Sequence, residues 1–192
     1  MTFTYTSRHR LWMVTLVEQS AAVTLLEGSV KDEQLVTPEG EVLTAEIDGV
    51  LFRAATTHAD ELGSITEIYS VGWNFKNAPV VHVYQTTVQP GRVKGWIVHA
   101  LQDDRLHFAN GCAKVALYDA RAGSLTEGVV SVRFLGADQR GLIVIPAGVY
   151  HAVRNVGTEI LTFINLPTRA YDHENPDKYR LPVDSPQIPY RP

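Results

Sequence analysis

Two short clusters in the second half of the chain carry residue types that move protons or bind metals. The first places His99 four residues after Gly95, and Asp104 five residues after His99. The second ends in His151, three residues after Gly148. Imidazole and carboxylate groups act as general acids and bases, and they are also ligands of divalent zinc, iron, nickel or manganese. The two clusters therefore predict one site of acid–base or metal chemistry.

The pattern around the first cluster indicates which side chains accompany His99. Side chains alternate along a strand, so Ile97 and His99 face one side while Trp96 and Val98 face the other. We expect Ile97, together with Phe163 of a later strand, to contact the substrate. Both side chains make the pocket more apolar than a sugar site usually is, which is compatible with a less polar substrate.

Polar groups near the two clusters are further candidates for substrate contacts. Lys94 and Arg105 flank the first cluster and can bind a phosphate or carboxylate at the pocket mouth. Tyr150, next to His151, completes the predicted substrate contacts. Four other histidines lie outside the two clusters, and we interpret them as structural or surface residues: His9, His58, His82 and His107.

Several function classes have no support in the sequence. No Gly-rich phosphate loop, Gly-x-Ser-x-Gly turn or Cys-His pair occurs, which argues against phosphoryl transfer and against serine or cysteine hydrolysis. The formal net charge is -4 without a basic run, so neither nucleic acid nor a membrane is an expected partner. Cys112 is the only cysteine, as is typical of a reducing compartment. Because Glu18 and Gln19 follow the short apolar run 11–14, we expect no signal peptide and predict a cytoplasmic protein.

From residue 47 onward the chain consists of short runs typical of β-strands. Each run has four to nine residues, is rich in β-branched and aromatic types, and is bounded by Gly, Pro, Asn or Asp. Many short strands with little helical periodicity indicate an all-β sandwich or barrel. The predicted strands are 80–88, 96–100, 106–109, 113–118, 129–135, 142–145, 150–153 and 160–166.

The domain organisation follows from the same pattern of strands bounded by turn residues. Residues 47–192 are predicted to form one barrel domain, whose proline-rich tail from Pro167 wraps around it as an ordered, irregular segment. Residues 1–46 form an N-terminal arm, because so few residues hardly bury a core of their own. Within the arm, residues 2–6 alternate polar and aromatic side chains as a half-buried strand does.

Read together, the two clusters resemble the paired motifs of the cupin superfamily. In those proteins a β-barrel gathers His and carboxylate side chains into its mouth. Here Ile97 stands where a first histidine is usual. Longer stretches are similar to the dTDP-4-dehydrorhamnose 3,5-epimerase family of cupins, over about three-quarters of the chain: residues 60–67, Lys94-Gly95-Trp96-Ile97-Val98-His99, residues 111–121, Ile145-Pro146-Ala147-Gly148-Val149-Tyr150-His151 and residues 165–184.

That resemblance implies a homodimeric cupin, a jelly-roll β-barrel that binds nucleotide-linked 4-keto-6-deoxy sugars without a metal cofactor. In the family, a histidine–aspartate dyad removes a proton next to the sugar ketone. A tyrosine on the opposite face returns one, and a lysine steadies the enolate. These roles are what proton transfer beside a carbonyl requires.

The functional positions of the family carry over only in part. The base histidine corresponds to Ile97, the lysine falls on or near Asp104, and the tyrosine falls within residues 162–164, which hold no tyrosine. The dyad aspartate corresponds to Asp184 and the sugar-contacting histidine to His151. Aliphatic side chains do not move protons, so the carry-over argues against the standard 3,5-epimerisation.

Three hypotheses follow. The first is a divergent isomerase or epimerase, or a related lyase or cyclase, that acts by proton transfer on a carbonyl-containing, nucleotide-sugar-like molecule. His99 is then the base or acid, as in the related 3,4-ketoisomerases with their His-x-His, and His151, Asp104 and Asp184 are its partners. The second is a non-catalytic binding or assembly protein. The third is a metal-dependent cupin with His99, Asp104 and His151 as ligands.

Overall fold

A computed structural model describes residues 26–32, 34–40, 43, 45–75 and 78–192. The chain divides into two units, Met1–Gln34 and Leu35–Pro192, and the described strands belong to the second unit. The predicted strand over residues 2–6 and the run 11–14 lie outside the described residues, and the arm boundary at residue 46 stays a prediction. Among the described residues, no helix has the length and apolar character needed to cross a membrane.

The described part of the second unit is built almost entirely from β-strands, with one 3₁₀ turn at Val71–Trp73. This confirms the all-β prediction. The strands are β1 (Leu51–Ala54), β2 (Thr57–Asp60), β3 (Gly63–Thr66), β4 (Tyr84–Val88), β5 (Val93–Val98), β6 (Asp104–Asn110), β7 (Cys112–Asp119), β8 (Val130–Gly136), β9 (Gly141–Ile145), β10 (Val149–Asn155), β11 (Leu161–Asn165) and β12 (Tyr179–Arg180).

The strands form two five-stranded antiparallel sheets and a separate hairpin. One sheet has the order β1-β9-β6-β11-β4, and the other has the order β12-β5-β10-β7-β8. Strands far apart in sequence are neighbours in both sheets, as in the jelly roll that the sequence predicted. The hairpin joins β2 to β3, where the Asp60 carboxylate accepts from the backbone N–H groups of Leu62 and Gly63.

The main core draws on both sheets and therefore fills the space between them. Phe108 of β6 and Leu117 of β7 are fully buried, and the ring of Phe108 lies 5.3 Å from that of Phe163. A second apolar cluster covers the other face of the β5–β10–β7 sheet. There Trp96 packs with Ile188 of the C-terminal tail, so the tail wraps the barrel as predicted.

The predicted strands from residue 80 onward all occur as β4 to β11, with ends that differ by a few residues. The largest difference is at residues 80–83, which are not part of a strand because β4 begins at Tyr84. Among the described strands, β4 lies at the edge of its sheet and pairs with β11, and this pairing ends at Tyr84 opposite Asn165. The next residue, Leu166, donates its backbone N–H to Arg105 instead, so β11 does not continue the pairing along residues 80–83.

Candidate active site

Three different strands, β5, β6 and β10, bring His99, Asp104 and His151 together. Asp104 is the first residue of β6, His151 lies within β10, and His99 follows the last residue of β5. His151 pairs across the sheet with Ile97, so its imidazole lies on the same face as the Ile97 side chain. The sequence prediction that these three residues form one cluster is therefore consistent with their positions.

The Asp104 carboxylate lies between the two imidazoles. Oδ2 of Asp104 is 3.3 Å from Nε2 of His99 and 3.3 Å from Nε2 of His151. The two rings are stacked, with centroids 5.7 Å apart and planes inclined by 28°. All three side chains are buried. A proton on one imidazole therefore has a short path to the other through a single carboxylate oxygen.

The other polar atoms of the cluster are also held. The Nδ1–H of His99 donates to the backbone carbonyl of Asp177, and Nδ1 of His151 lies 3.3 Å from the carbonyl of Val149. The side-chain amide of Gln102 donates to Oδ1 of Asp104 at 2.9 Å. The carboxylate is thus fixed from both sides, and the rings have one defined orientation.

The charges of the cluster stabilise one another. Burial alone disfavours an ionised Asp104, but the hydrogen bonds from His151 and His99 outweigh it and hold the pKa of Asp104 well below its usual range. Burial likewise works against a protonated His99, yet the hydrogen bond and charge of Asp104, with a contribution from Asp177, raise the pKa of His99. Asp104 therefore stabilises the protonated form of His99, and the two histidines stabilise the ionised form of Asp104.

The cluster faces a cavity of about 120 Å³ between the two sheets. A second cavity of about 220 Å³ adjoins it, and Tyr84, His99 and Lys178 line both. The first cavity is also lined by Thr86, Lys94, Ile97, Asp104, Leu106, His151, Val153, Phe163, Asn165 and Arg180. Lys94, Lys178 and Arg180 form a positively charged wall of this cavity, and Ile97 and Phe163 belong to an apolar wall.

Two further titratable groups face these cavities. Burial, and then the charge of Asp104, raise the pKa of Tyr84 against the opposing hydrogen bond from Asn165, whose amide donates to the Tyr84 hydroxyl oxygen at 2.8 Å. Burial, and then the charge of Arg180, lower the pKa of Lys178. Tyr84 is therefore a neutral hydroxyl at neutral pH, and Lys178 is a more acidic ammonium than usual.

The structure brings some of the predicted substrate contacts to the cavity and leaves others away from it. Lys94, Ile97 and Phe163 line the cavity, as predicted. Arg105 does not, because it alternates with Asp104 and donates instead to the backbone carbonyls of Ala78, Leu166 and two prolines. Its guanidinium ties loops together rather than meeting an anion.

Tyr150 and Asp184 are also placed away from the cavity. Tyr150 points to the opposite side of β10 from His151 and packs on the second apolar cluster. Asp184 is exposed in the C-terminal tail and lines neither cavity, whereas the carboxylate next to Nε2 of His99 is that of Asp104. Strand alternation turns Tyr150 away from the cavity, and the course of the tail places Asp184, which the family resemblance had assigned to the dyad, outside it.

Sequence reasoning missed the residues that the C-terminal tail contributes. Asp177, Lys178 and Arg180 reach the cavities because β12 pairs with β5, with Arg180 opposite Ile97. His82, interpreted above as structural or surface, lines the second cavity, whereas His107 is buried and bonded to the Gly141 carbonyl, as a structural histidine is. The tail has no periodicity, so no sequence signal was available for its contacts.

The cluster also fits a divalent metal. Each of His99, Asp104 and His151 offers one ligand atom, and these atoms all lie within 4.8 Å of one another. Ligands about 2.1 Å from a tetrahedral ion lie about 3.4 Å apart, which agrees with both nitrogen–oxygen distances. Histidine ligands commonly donate their second ring N–H to a backbone carbonyl, and both histidines have such a partner.

Comparison with known proteins supplies the relatives of the chain. No family model matches the sequence. The chain is 35% identical over 145 residues to the spore coat polysaccharide biosynthesis protein SpsL of Bacillus subtilis, which covers 74% of this chain and 93% of that protein. It is 32% identical over 140 residues to the probable low-salt glycan biosynthesis epimerase Agl13 of Haloferax volcanii, covering 72% of this chain and 89% of that protein.

Among solved structures, the fold is similar to that of a dTDP sugar isomerase from Desulfovibrio desulfuricans G20. The TM-score is 0.71 and the sequence identity is 25%, over 78% of this chain and 93% of the other. The matched parts of all three relatives are nearly their full length. The likeness therefore concerns a whole barrel domain and not a fragment of one.

Proposed function

The chain belongs to the dTDP-4-dehydrorhamnose 3,5-epimerase-like family of cupins, and we propose that it isomerises a nucleotide-linked keto sugar by proton transfer next to the carbonyl. The observation that carries this proposal is the pair of imidazoles that share one buried carboxylate oxygen inside a cavity with a cationic wall. The sugar-epimerase relatives support it independently.

The His99–Asp104–His151 cluster suits a reaction that takes a proton from one carbon and returns it to the same or an adjacent carbon. One imidazole in its neutral form removes the acidic proton beside the ketone, and the other, as an imidazolium, donates one. Asp104 stabilises whichever ring is charged. Because His151 occupies the position opposite Ile97, the aliphatic residue at 97 does not leave the cavity without a base.

The walls of the cavity indicate the rest of the substrate. Lys94, Lys178 and Arg180 supply positive charge for a diphosphate and for the oxygen of the enolate. Ile97 and Phe163 offer apolar surface for a methyl group, as a 6-deoxy sugar carries. The second cavity, which adjoins the first, provides room for the nucleoside part of such a ligand.

The proposal is tested by incubating the purified protein with nucleoside diphosphate 4-keto-6-deoxy sugars in D₂O. Each carbon that loses and regains a proton takes up deuterium, so mass spectrometry and NMR identify the position and the number of exchanged sites. We expect exchange at a carbon adjacent to the ketone. The number of exchanged carbons distinguishes single epimerisation, double epimerisation and migration of the carbonyl.

The His99→Gln variant is the matched test of the acid–base centre, because glutamine keeps a polar side chain of similar reach that carries no mobile proton. We expect exchange to fall by about 100-fold or more in this variant. Binding of the nucleotide, followed by thermal shift, should stay within a few-fold of the native protein. If the native protein binds the sugar nucleotide and the sugar takes up no deuterium, the result supports the second hypothesis, a non-catalytic binding protein.

A metal-dependent isomerase is the second candidate, favoured by the carbonyl partners of both Nδ1 atoms. The metal would be held by His99, Asp104 and His151, and when bound it would polarise the carbonyl of the substrate. Tyr84 and Lys178 would then be the groups of this chain available to hold or move a proton. Retained exchange activity after treatment with a strong chelator, with no increase on adding zinc, iron, nickel or manganese, would contradict this candidate.

We also propose that the barrel acts as a homodimer in the cytoplasm, as the family resemblance implies. Light scattering of the purified protein measures its mass in solution, and a monomer at micromolar concentration would contradict the dimer.

A further inference from the structure

Asp177, in the C-terminal tail, makes an unusual number of contacts with the segment that carries His99. Its carboxylate accepts from the backbone N–H groups of Ala100 at 2.8 Å, Leu101 at 2.8 Å and Gln102 at 3.0 Å. Its own backbone carbonyl accepts from Nδ1–H of His99. One residue therefore holds both the imidazole and the loop that follows it.

Hydrogen bonds of Asp103 with Thr168 anchor the end of this loop, and the Asp177 carboxylate holds the three residues before it. His99 lies one residue beyond β5, so the sheet pairing that fixes Ile97 does not extend to it. The backbone carbonyl of His99 accepts from the N–H of Gly148 at 2.8 Å, but this bond leaves the ring free to turn. Hydrogen bonds to an ionised carboxylate are stronger than those between neutral groups, so three of them on one side chain make a firm clamp.

The clamp also reaches the partner of His99. Gln102 is the third residue held by the Asp177 carboxylate, and its side-chain amide donates to Oδ1 of Asp104 at 2.9 Å. A shift of the loop would therefore move His99 and the donor that orients Asp104 at the same time.

We propose that Asp177 is a positioning residue of the catalytic centre, which holds the His99 ring in one orientation through its carbonyl and the 100–102 loop through its carboxylate. The C-terminal tail is then part of the working site and not only a cover for the barrel. The inference relies on the proposed function for its kinetic readout alone, because its spectroscopic readout requires no substrate.

The test compares Asp177→Asn with Asp172→Asn in the full-length protein. Asparagine has nearly the shape of aspartate but keeps one acceptor oxygen and turns an N–H₂ group toward backbone donors. Asp172 is a matched control, because its carboxylate accepts from the N–H groups of Glu174 and Asn175 in the same tail without touching His99. We expect kcat of Asp177→Asn to fall about 10- to 100-fold with KM within about 3-fold, and Asp172→Asn to match the native protein.

The second readout is the ¹⁵N NMR spectrum of the His99 ring at a pH where the ring is protonated and carries both N–H groups. We expect slow solvent exchange of the Nδ1 proton in the native protein and in Asp172→Asn, and fast exchange in Asp177→Asn, where the ring is no longer held against the Asp177 carbonyl. An unchanged kcat and ring spectrum in Asp177→Asn would overturn the inference. A rise in KM alone would also overturn it, since that result describes a substrate contact.

Two further outcomes are covered by the design. If no sugar nucleotide is turned over by the native protein, the proposed function fails, while the ring spectra still decide the role of Asp177. If Asp177→Asn does not fold, hydrogen exchange of the native protein decides instead. The amides of residues 100–102 should then exchange at least about 10-fold more slowly than those of Glu174 and Asn175, and equal rates would overturn the inference.

Discussion

Replacing Asp104 by asparagine removes the charge that lies between the two imidazoles and leaves the shape of the side chain nearly unchanged. Oδ2 of Asp104 is 3.3 Å from both Nε2 atoms, and the carboxylate is buried. Removing one partner of a buried charged cluster costs about 3–5 kcal/mol. For a chain of this size, 1 kcal/mol corresponds to about 2–4 °C in Tm, so we expect a loss of about 10 °C where the cluster is charged.

The pH dependence of that loss follows from the two pKa shifts. The pKa of Asp104 is lowered, so its contribution to stability is present above its unfolded value of about 4 and is lost as the pH falls through the folded value. The pKa of His99 is raised, so its contribution is complete below about 6.5 and is lost as the pH rises through the folded value. The difference in Tm between native and Asp104→Asn protein should therefore be largest near pH 5.5 and smaller near pH 9.

Calorimetry of both proteins in a chelator at these two pH values measures the difference, with Asp172→Asn as the exposed control. A difference that is constant or grows toward pH 9 would refute the charged-cluster interpretation. Growth toward high pH only when zinc is added would instead indicate a metal, because histidine ligands must be neutral to bind it.

Three other variants test neighbouring parts of the structure. Lys178→Met should raise KM for a sugar nucleotide about 10-fold in steady-state assays, because the side chain faces both cavities; an unchanged KM would exclude a phosphate contact. Gly95→Ala should lower stability by more than about 3 kcal/mol in denaturant unfolding, since a Cβ there would lie 2.4 Å from Cβ of Ala152, whereas Gly91→Ala meets no atom within 4 Å and should cost about 1 kcal/mol. Burial lowers the pKa of His107, so its contribution to stability is present above about pH 6.5 and is lost on acidification; His107→Leu should gain stability relative to the native protein between pH 7.5 and 5, and a constant gap would contradict this.

The strands were predictable from local patterns in the sequence, whereas the jelly-roll fold and the gathering of the central cluster were predicted from the resemblance to the cupin motifs. Alternation along β5 puts Ile97 and His99 on one side, and the cavity indeed contains both. The same rule applied to neighbouring residues would have excluded Arg105 and Tyr150, which follow Asp104 and precede His151 directly. Residue type had suggested both as substrate contacts, whereas strand alternation places their side chains away from the cavity.

The contribution of the C-terminal tail was decided only by the tertiary structure. Asp177 meets Ala100 across 77 positions of sequence, and a proline-rich segment without periodicity carries no signal of where it will lie. Its place is fixed by the pairing of β12 with β5 and by the burial of Ile188 against Trp96. The sequence alone determined which residues can do chemistry, because residue type and strand alternation are local properties. The approach of Asp177 and Lys178 to the histidines was decided by long-range packing of the tail, which no local pattern encodes.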